Sequence, residues 1–367
     1  MPDRNDGGSE PGRVPAETVR AQIAAVLSAW GMAPDDVAIT AEIMVETDLA
    51  GVDSHGLSML PTYERTRKRG SLNLEAVPEI VRNAGAVALI DADRGLGHPV
   101  SAMAMGLALD KAAAHGIAVV SVFNSHHFGA AGYYAGLAAK RSMTGLVASS
   151  ARTVATVPTF GAAPVLGTNP LAFAAPAGRN PPVILDMATS VVAGNKVKVY
   201  ALNGKPVPAG WVVDGEGRPV TDAAEALRYA LERPEGGLNP IGGSREMGGH
   251  KGYGLALLVQ ILGGTLAGAS FSPTRAPDAP DNIGHFFLAL DPAAFRPLEA
   301  FRADLDTVID TLHATRPADP DQPVLVAGDP ERLARAERLE LGIPVPETLR
   351  RQLREVTAAA GVRYLLG

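Results

Sequence analysis

The sequence predicts an α/β fold, because apolar strands alternate with amphipathic helices along the chain. The clearest strand is the β-branched run at residues 117–123, which leads into a polar loop and then a helical segment ending at Lys140. Segments 15–30 and 34–50 carry apolar residues at helical spacing. With 46% hydrophobic and 20% charged residues, the composition is that of a globular protein.

Charge and residue content argue against several classes of partner. The 367 residues carry a net charge of −6, which disfavours nucleic acid or an anionic membrane as the main partner. The lack of cysteine rules out disulfides and thiolate chemistry, and is compatible with a cytoplasmic location. No apolar run reaches the roughly 18–20 residues of a membrane span. Residues 1–15 lack signal-peptide features and are predicted to form a disordered tail.

The end of the second predicted helix is followed by Asp53, Ser54, His55 and Gly56 in succession. In one interpretation, Asp53 or Ser54 caps the following helix and His55 makes an ordinary structural hydrogen bond. In the other, His55 transfers a proton and Ser54 is its hydrogen-bond partner. The residues alone leave both interpretations open.

Two adjacent histidines, His126 and His127, follow the strand at 117–123 in the loop before the next helix. Such strand–loop–helix junctions often carry the chemistry of α/β proteins. Neighbouring side chains point apart and no helical ligand pair accompanies them, so a metal site is disfavoured. We interpret one of them as a general acid or base, and a helix-capping histidine is the alternative. Upstream, GLGHPV lacks the third glycine of a dinucleotide fingerprint.

Two later segments carry further candidate groups. The strand predicted at 183–187 ends in Asp186-Met187-Ala188, followed by two hydroxyl residues that suit ribose or amide groups, or the cap of the next helix. Residues 201–249 are dense in glycine, proline and charge, with one weak helix at 222–231. This composition predicts a surface excursion, part of which closes over a ligand.

The segment GGHKGYG at 248–254 predicts an anion site at the start of an apolar, buried helix over 255–266. Backbone N–H groups, the positive end of the helix dipole and Lys251 all attract a phosphate, and glycines let the backbone approach it. A flexible surface loop is the alternative. Beyond it we predict a strand at 285–290, a helix at 297–313, a short strand at 324–327 and two C-terminal helices.

Six motifs in order resemble the type-2 malate/L-lactate dehydrogenase family: DLAGVDSHG, NSHHFGAAGYYA, GTNPLAFAAP, DMATS, GGHKGYGLAL and LVAGDPER. That family is similar to ureidoglycolate and sulfolactate dehydrogenases and to Δ1-piperideine-2-carboxylate reductases. The resemblance implies a homodimeric oxidoreductase that uses NAD or NADP. It also implies a non-Rossmann, malate/L-lactate dehydrogenase-like α/β fold with a mixed central sheet. A cofactor domain (121–299) would be inserted into a discontinuous substrate and dimerisation domain (16–120 and 300–367).

The resemblance further implies roles for individual residues of this chain. His127 would exchange the substrate proton, with His55 and Ser54 beside it. Residues matched to substrate contacts are Tyr63, Thr168, Gly194, Asn195 and Lys196. Residues matched to cofactor contacts are His127, Phe128, Gly129, Ala130, Ala131, Asp186, Met187, Ala188, Lys251, Gly328 and Asp329. No metal is expected.

One departure from the family pattern bears on the substrate. The family commonly reads S-H-G-x-x-R, and its arginine grips the substrate carboxylate, whereas this chain has Met59 at that position. A thioether cannot form a bidentate contact with a carboxylate. Either another cation, with Arg152 and Lys196 as candidates, holds the carboxylate, or the substrate is not a simple 2-hydroxy acid.

Three functions follow from these observations. The first is hydride transfer between NAD(P) and C2 of a 2-hydroxy or 2-oxo acid such as malate or lactate. The second is reduction of a cyclic imine carboxylate with His55 as proton donor. The third is a cofactor-binding relative without this catalysis. The imine reductases carry a charge-relay aspartate where this chain has Gly194-Asn195-Lys196, which favours the first function.

Overall fold

The computed structural model describes residues 12–202, 204–276 and 279–367, apart from the side chains of Asn195 and Leu202. In chain order, the strands are β1 Arg13–Val14, β2 Glu79–Ala84, β3 Val87–Asp91, β4 Ile117–Ser125, β5 Thr144–Ser149, β6 Leu171–Ala175, β7 Val183–Met187, β8 Val212–Val213, β9 Gly237–Leu238, β10 Ile283–Leu290 and β11 Ile343–Pro344. The helices are α1 Ala16–Ala29, α2 Pro34–Leu49, α3 Leu60–Lys68, α4 Gly97–His115, α5 Ala131–Lys140, α6 Gly194–Leu202, α7 Ala223–Leu231, α8 Gly249–Gly263, α9 Leu298–His313, α10 Asp329–Leu341 and α11 Glu347–Ala360.

The chain forms two compact units. The small unit contains the described residues of Met1–Gly70 together with Asp329–Gly367, and the large unit is Ser71–Gly328. The sequence placed its domain boundaries at 120/121 and 299/300 instead. The compact units divide after Gly70 and after Gly328. The strands β2, β3 and β4 fall in the large unit because they belong to the same sheet as β5, β6 and β7. Which unit serves substrate and which serves cofactor stays a prediction.

The large unit is built on a seven-stranded sheet of order β2-β3-β4-β10-β5-β6-β7. Only β3 and β4 run parallel, and every other neighbouring pair is antiparallel. The strand of this sheet that comes last in the sequence, β10, lies at its centre and pairs with β4 on one side and β5 on the other. This confirms the α/β class and the mixed central sheet, and it differs from the mainly parallel sheet of a Rossmann fold.

Helices cover both faces of this sheet. Gly145 of β5 faces α5, where a Cβ on Gly145 would touch Ala135 and Ala138. The next residue points to the other face, where Ala148 and Phe286 pack against Val259 of α8. The helix α8 begins at Gly249 rather than at 255 as predicted. It is also less buried than predicted, since three side chains are exposed by 43–49%: Leu257, Leu258 and Ile261.

The excursion between α6 and α8 has a small core of its own. The helices α6 and α7 and the strands β8 and β9 surround this core, which includes Val192, Val197, Val212, Ala226 and Leu238. The sequence had predicted a surface segment with only one weak helix. The strand predicted at 324–327 is not formed, and the described backbone there is irregular. Ala327 only accepts a hydrogen bond from the Ile184 amide (3.1 Å).

The small unit is mainly helical, with one short strand pair. Arg13 and Val14 pair with Pro344 and Ile343, so this end of the predicted tail is a strand, while residues 1–11 lie outside the described part. Buried Arg350 donates hydrogen bonds to the carbonyl oxygens of Gly12, Val345, Leu366 and Gly367. None of the helices described in either unit is long and apolar enough to cross a bilayer.

Candidate active site

The loop between β4 and α5 presents His127 from a braced backbone. The Gly97 amide, at the start of α4, donates to the His127 carbonyl (3.0 Å). Gly129 adopts a φ of 82°, a left-handed conformation that glycine tolerates, and its amide points at His127 Nδ1 (3.4 Å). A donor at Nδ1 favours the neutral tautomer that carries its proton on Nε2.

The neighbouring Phe128 is clamped between two aromatic rings. His285 of β10 stacks on it at 4.5 Å between centroids and Tyr134 of α5 at 5.2 Å. The Tyr134 hydroxyl also donates to the Phe128 carbonyl. His285 is fully buried between the hydroxyls of Ser149 and Ser125, and burial lowers its pKa to about 3. It is therefore a neutral structural ring that fixes the loop.

The end of β7 is joined directly to this loop. Asp186 Oδ2 accepts a hydrogen bond from the Gly132 amide (2.7 Å) in the first turn of α5. A Cβ on Gly132 would press on the same carboxylate, so the contact needs glycine there. Met187 and Ala188 follow Asp186, and both are partly buried. The predicted proton-transfer loop and the predicted cofactor segment are thus neighbours.

Two other predicted segments connect to the same region. The Thr189 amide donates to the Thr168 carbonyl (2.8 Å), and the Thr189 carbonyl accepts from Ile241 (2.9 Å). Buried Asn169 donates to the Ala256 carbonyl of α8 (3.0 Å). The GTNP, DMATS and KGYG segments therefore form one hydrogen-bonded group.

The start of α8 has the features of an anion site. Gly248 precedes the helix with a φ of 94°, and a Cβ on Gly252 would collide with the backbone of Ile241. Exposed Lys251 lies in the first turn. Backbone amides, helix dipole and an ammonium group together suit a phosphate or another anion.

In the small unit, Ser54 and His55 form the pair expected from the sequence. Ser54 Oγ lies 2.7 Å from His55 Nδ1, and burial lowers the pKa of His55. Beneath them, Asp48 accepts a hydrogen bond from the Leu57 amide (2.8 Å), and burial raises the pKa of Asp48 to about 8. A side chain at Gly56 would collide with the Asp48 carboxyl group.

Tyr63 of α3 is also buried in the small unit, and burial raises the pKa of its hydroxyl. The remaining predicted contacts lie elsewhere in the chain. Gly194 begins α6, and Lys196 Nζ lies 5.2 Å from the centre of the Trp211 ring. The side chain of Asn195 lies outside the described part.

Gly328 and Asp329, predicted cofactor contacts, stand where the large unit ends and α10 begins. Gly328 has a φ of 100°, and Asp329 pairs with Arg332 one helical turn later. Within the described ranges, no three His, Asp or Glu side chains are grouped as metal ligands.

The predicted residues fall into two sets. The large unit brings together the His127 loop, Thr168, the Asp186 segment and Lys251, and the small unit holds Ser54, His55 and Tyr63. Sequence reasoning missed three supporting residues. Asp48 holds the Leu57 amide, Asp281 pairs with Arg152, and His285 stacks on Phe128. The available signal was a polar residue within an apolar stretch, as in HFFLAL, where His285 opens a buried strand.

Comparison with known proteins gives a consistent result. The family model described as malate/L-lactate dehydrogenase matches residues 14–354. The malate dehydrogenase of Pyrococcus horikoshii is 38% identical over 356 residues, covering 96% of this chain and 97% of that protein. The L-sulfolactate dehydrogenase of Methanocaldococcus jannaschii is 36% identical, covering 92% and 94%. The crystal structure of malate dehydrogenase from Entamoeba histolytica superposes with a TM-score of 0.92 at 30% identity, covering 97% and 99%.

Proposed function

The chain belongs to the malate/L-lactate dehydrogenase family, and from that premise we propose which of its residues carry out the reaction. It is an oxidoreductase that acts on the CH–OH group of 2-hydroxy acids, and the family implies a nicotinamide cofactor. The bound nicotinamide supplies or accepts the hydride. The protein residues bind, orient and exchange the proton.

His127 is the proposed acid and base. Its Nε2 exchanges a proton with the substrate oxygen at C2, while the Gly129 amide at Nδ1 keeps the ring in one orientation. The stacked Phe128, Tyr134 and His285 rings hold the loop, so that the imidazole is positioned before substrate arrives.

The cofactor is proposed to lie along the loop of His127 to Ala131, the segment of Asp186 to Ala188, and the start of α8 at Lys251. The proposal holds for either NAD or NADP as the cofactor. Gly328 and Asp329 are proposed as further cofactor contacts. The proposed substrate contacts are Ser54, His55, Tyr63 and Thr168, together with Gly194, Asn195 and Lys196.

The observation that carries this proposal is the hydrogen bond between Asp186 Oδ2 and the Gly132 amide (2.7 Å). It joins the segment that resembles a cofactor site to the helix that follows His127. A hydride donor and a proton donor must reach the same carbon–oxygen bond, and this contact supports that arrangement.

The test is oxidation of NADH and of NADPH with a panel of acceptors. We expect turnover with at least one 2-oxo acid among pyruvate, oxaloacetate, 2-oxoglutarate and sulfopyruvate, and little with Δ1-piperideine-2-carboxylate. The ratio of kcat/KM for the two cofactors decides between NAD and NADP. Turnover of the cyclic imine alone would contradict the proposal.

That outcome would favour the second candidate, reduction of a cyclic imine carboxylate. The contact between Ser54 and His55 (2.7 Å) is the observation on its side, because it resembles the proton-donating pair of those reductases. The glycine at 194, followed by Asn195 and Lys196, stands against it, since no carboxylate lies at that point of the sequence.

We also propose a cytoplasmic homodimer. The exposed apolar face of α8, with Leu257, Leu258 and Ile261 and the nearby Leu266, supports association of two copies. Light scattering should give a mass near twice 38.0 kDa, and a stable monomer would contradict this proposal.

A further inference from the structure

A buried carboxylate in the large unit holds two arginines. Asp281, whose side chain is only 3% exposed, lies 2.7 Å from Arg152 Nε and 2.8 Å from Arg275 Nη1. The imidazole of His126 is the third neighbour, with its Nδ1 3.5 Å from the Asp281 carboxylate. Asp281 therefore fixes Arg152 beside the residue that precedes His127.

The charges of this group do not cancel. Two guanidinium groups face one carboxylate, and burial lowers the pKa of His126, so its ring is uncharged near neutral pH. The group therefore carries a net positive charge, and partly exposed Arg152 presents it to solvent. The group is therefore suited to bind an anion.

Of the two arginines, Arg152 is the one placed to meet a ligand. Its side chain is 42% exposed, whereas that of Arg275 is 16% exposed and also donates to the Ala279 carbonyl. Arg152 contacts Asp281 through Nε, and its two terminal amino groups form no hydrogen bond with any residue in the described ranges. Arg152 lines a polar depression together with Arg275, Asp281 and three serines, Ser150, Ser270 and Ser272.

The position of Arg152 relates it to two segments of the proposed site. On one side, Asp281 links it to His126 and so to the His127 loop. On the other, the amide of the preceding Ala151 donates to Asn169 Oδ1 (3.2 Å), next to Thr168. The second candidate cation, Lys196, instead lies over the Trp211 ring at 5.2 Å.

We propose that Arg152, held by Asp281, binds the carboxylate next to the reacting carbon of the substrate, in place of the arginine that the family has where this chain has Met59. This inference rests on the proposed function. On this inference the substrate is a 2-oxo or 2-hydroxy acid with its carboxylate at C1 bound by Arg152. Both monocarboxylates and dicarboxylates fit, because the contact involves only the carboxylate at C1. A guanidinium fork suits this contact, since it can donate two parallel hydrogen bonds to one carboxylate.

The test compares Arg152→Gln with the wild type and with Arg141→Gln. Arg141 is a matched control, since it is 46% exposed and paired with Asp110 at 2.7 Å on the same unit. We expect Arg152→Gln to raise KM for pyruvate and for oxaloacetate by the same factor, roughly 10- to 100-fold. The change in kcat should stay within about threefold, because the contact binds substrate and transition state alike. Arg141→Gln should match the wild type.

A second measurement does not depend on turnover. Oxamate, an unreactive 2-oxo acid analogue, is titrated into the complex with NADH or NADPH, whichever the wild type uses with the higher kcat/KM, while the fluorescence of the bound reduced cofactor is followed. Arg152→Gln should weaken oxamate binding by the same factor as KM rises, and leave binding of that cofactor unchanged.

The outcomes separate this inference from the proposed function. An unchanged oxamate affinity in Arg152→Gln would overturn the role of Arg152 while leaving the dehydrogenase function intact. A higher KM for oxaloacetate alone would also overturn it, because Arg152 would then bind the distal carboxylate. A wild-type enzyme that turns over no 2-oxo acid would refute the proposed function, and oxamate binding would still decide on Arg152.

Discussion

The two histidine-bearing turns of this protein are held in place by different physical means. The loop of His127 is braced by stacked rings and by a neutral histidine, His285, whose pKa is lowered to about 3. The turn of His55 rests on a buried carboxyl group, Asp48, whose pKa is raised to about 8. Asp53, an exposed residue of the same turn, pairs with Arg338.

This difference has a consequence for pH. The support of the His127 loop does not change charge anywhere near neutrality. The support of the His55 turn does, because a carboxyl group with a pKa of about 8 is partly ionised in that range. The support of the His127 loop is thus insensitive to pH near neutrality, whereas the support of the His55 turn is sensitive to it.

The largest expected effect separates the roles of the two histidines. Changing His127 to Ala should lower kcat for a 2-oxo acid by about 10²- to 10⁴-fold, because the group proposed to exchange the proton is lost. Changing His55 to Ala should cost less than about tenfold if it only assists. Steady-state kinetics measure both, and NADH titration should show that cofactor binding is kept.

His115→Ala is the control for this pair, since His115 is exposed at the end of α4. It should leave kcat unchanged. A larger loss in His55→Ala than in His127→Ala would reverse the assignment and favour the chemistry of the imine reductases.

A second test breaks the support of the His127 loop. Phe128→Ala removes the ring between His285 and Tyr134, and should lower the free energy of unfolding by about 3–5 kcal/mol. It should also lower kcat, since the loop loses its fixed position. Urea unfolding and kinetics measure the two effects. Phe295→Ala, at a ring 75% exposed, should change stability by less than about 0.5 kcal/mol. Equal effects in both variants would contradict the bracing role.

The smallest effect concerns the pH sensitivity of the His55 turn. In the unfolded chain an aspartate has a pKa of about 3.9, well below the value of about 8 for folded Asp48. Between these values the folded protein keeps a proton that the unfolded chain has lost, so stability falls as pH rises from 4 to 8. Asp48→Asn keeps an acceptor for Leu57 and should flatten this decline in melting temperature.

Asp53→Asn is the control, because it changes a charge near Asp48 but not the buried group itself. The burial of His55 acts with the opposite sign, since a lowered histidine pKa makes stability rise with pH. The comparison of variant with wild type removes that contribution. The same slope in Asp48→Asn and wild type would show that Asp48 does not titrate as described.

Much of the fold was predictable because its elements carry strong local patterns. The strands β4, β7 and β10 are apolar runs, and α1, α2 and α11 have clear helical spacing. The edge strand β2 was missed because all six of its residues are exposed. The start of α8 was predicted too late, because its first turn is rich in glycine, which has a low helix propensity. The close packing of that turn against Ile241 requires glycine at position 252.

The candidate site was predictable where one segment carries the chemistry, as in the Ser54–His55 pair. It was not predictable where support comes from distant parts of the chain. Asp281 binds Arg152 across a sequence gap that no local pattern spans, and His285 reaches Phe128 from the central strand. The periodicity of a strand predicts which face is buried, but not which strands will lie next to it in the sheet.

The central position of β10 also governs when the protein can become active during its synthesis. Ser149 of β5 and His285 of β10 hydrogen-bond across 136 positions of the chain, so β5 waits for its partner for roughly 7–27 s at a synthesis rate of 5–20 residues per second, and β4 waits slightly longer. Until then both strands have an exposed edge, and Phe128 has no imidazole above it. The nascent chain therefore needs protection from aggregation over that interval, and its His127 loop gains its final form only once β10 is inserted.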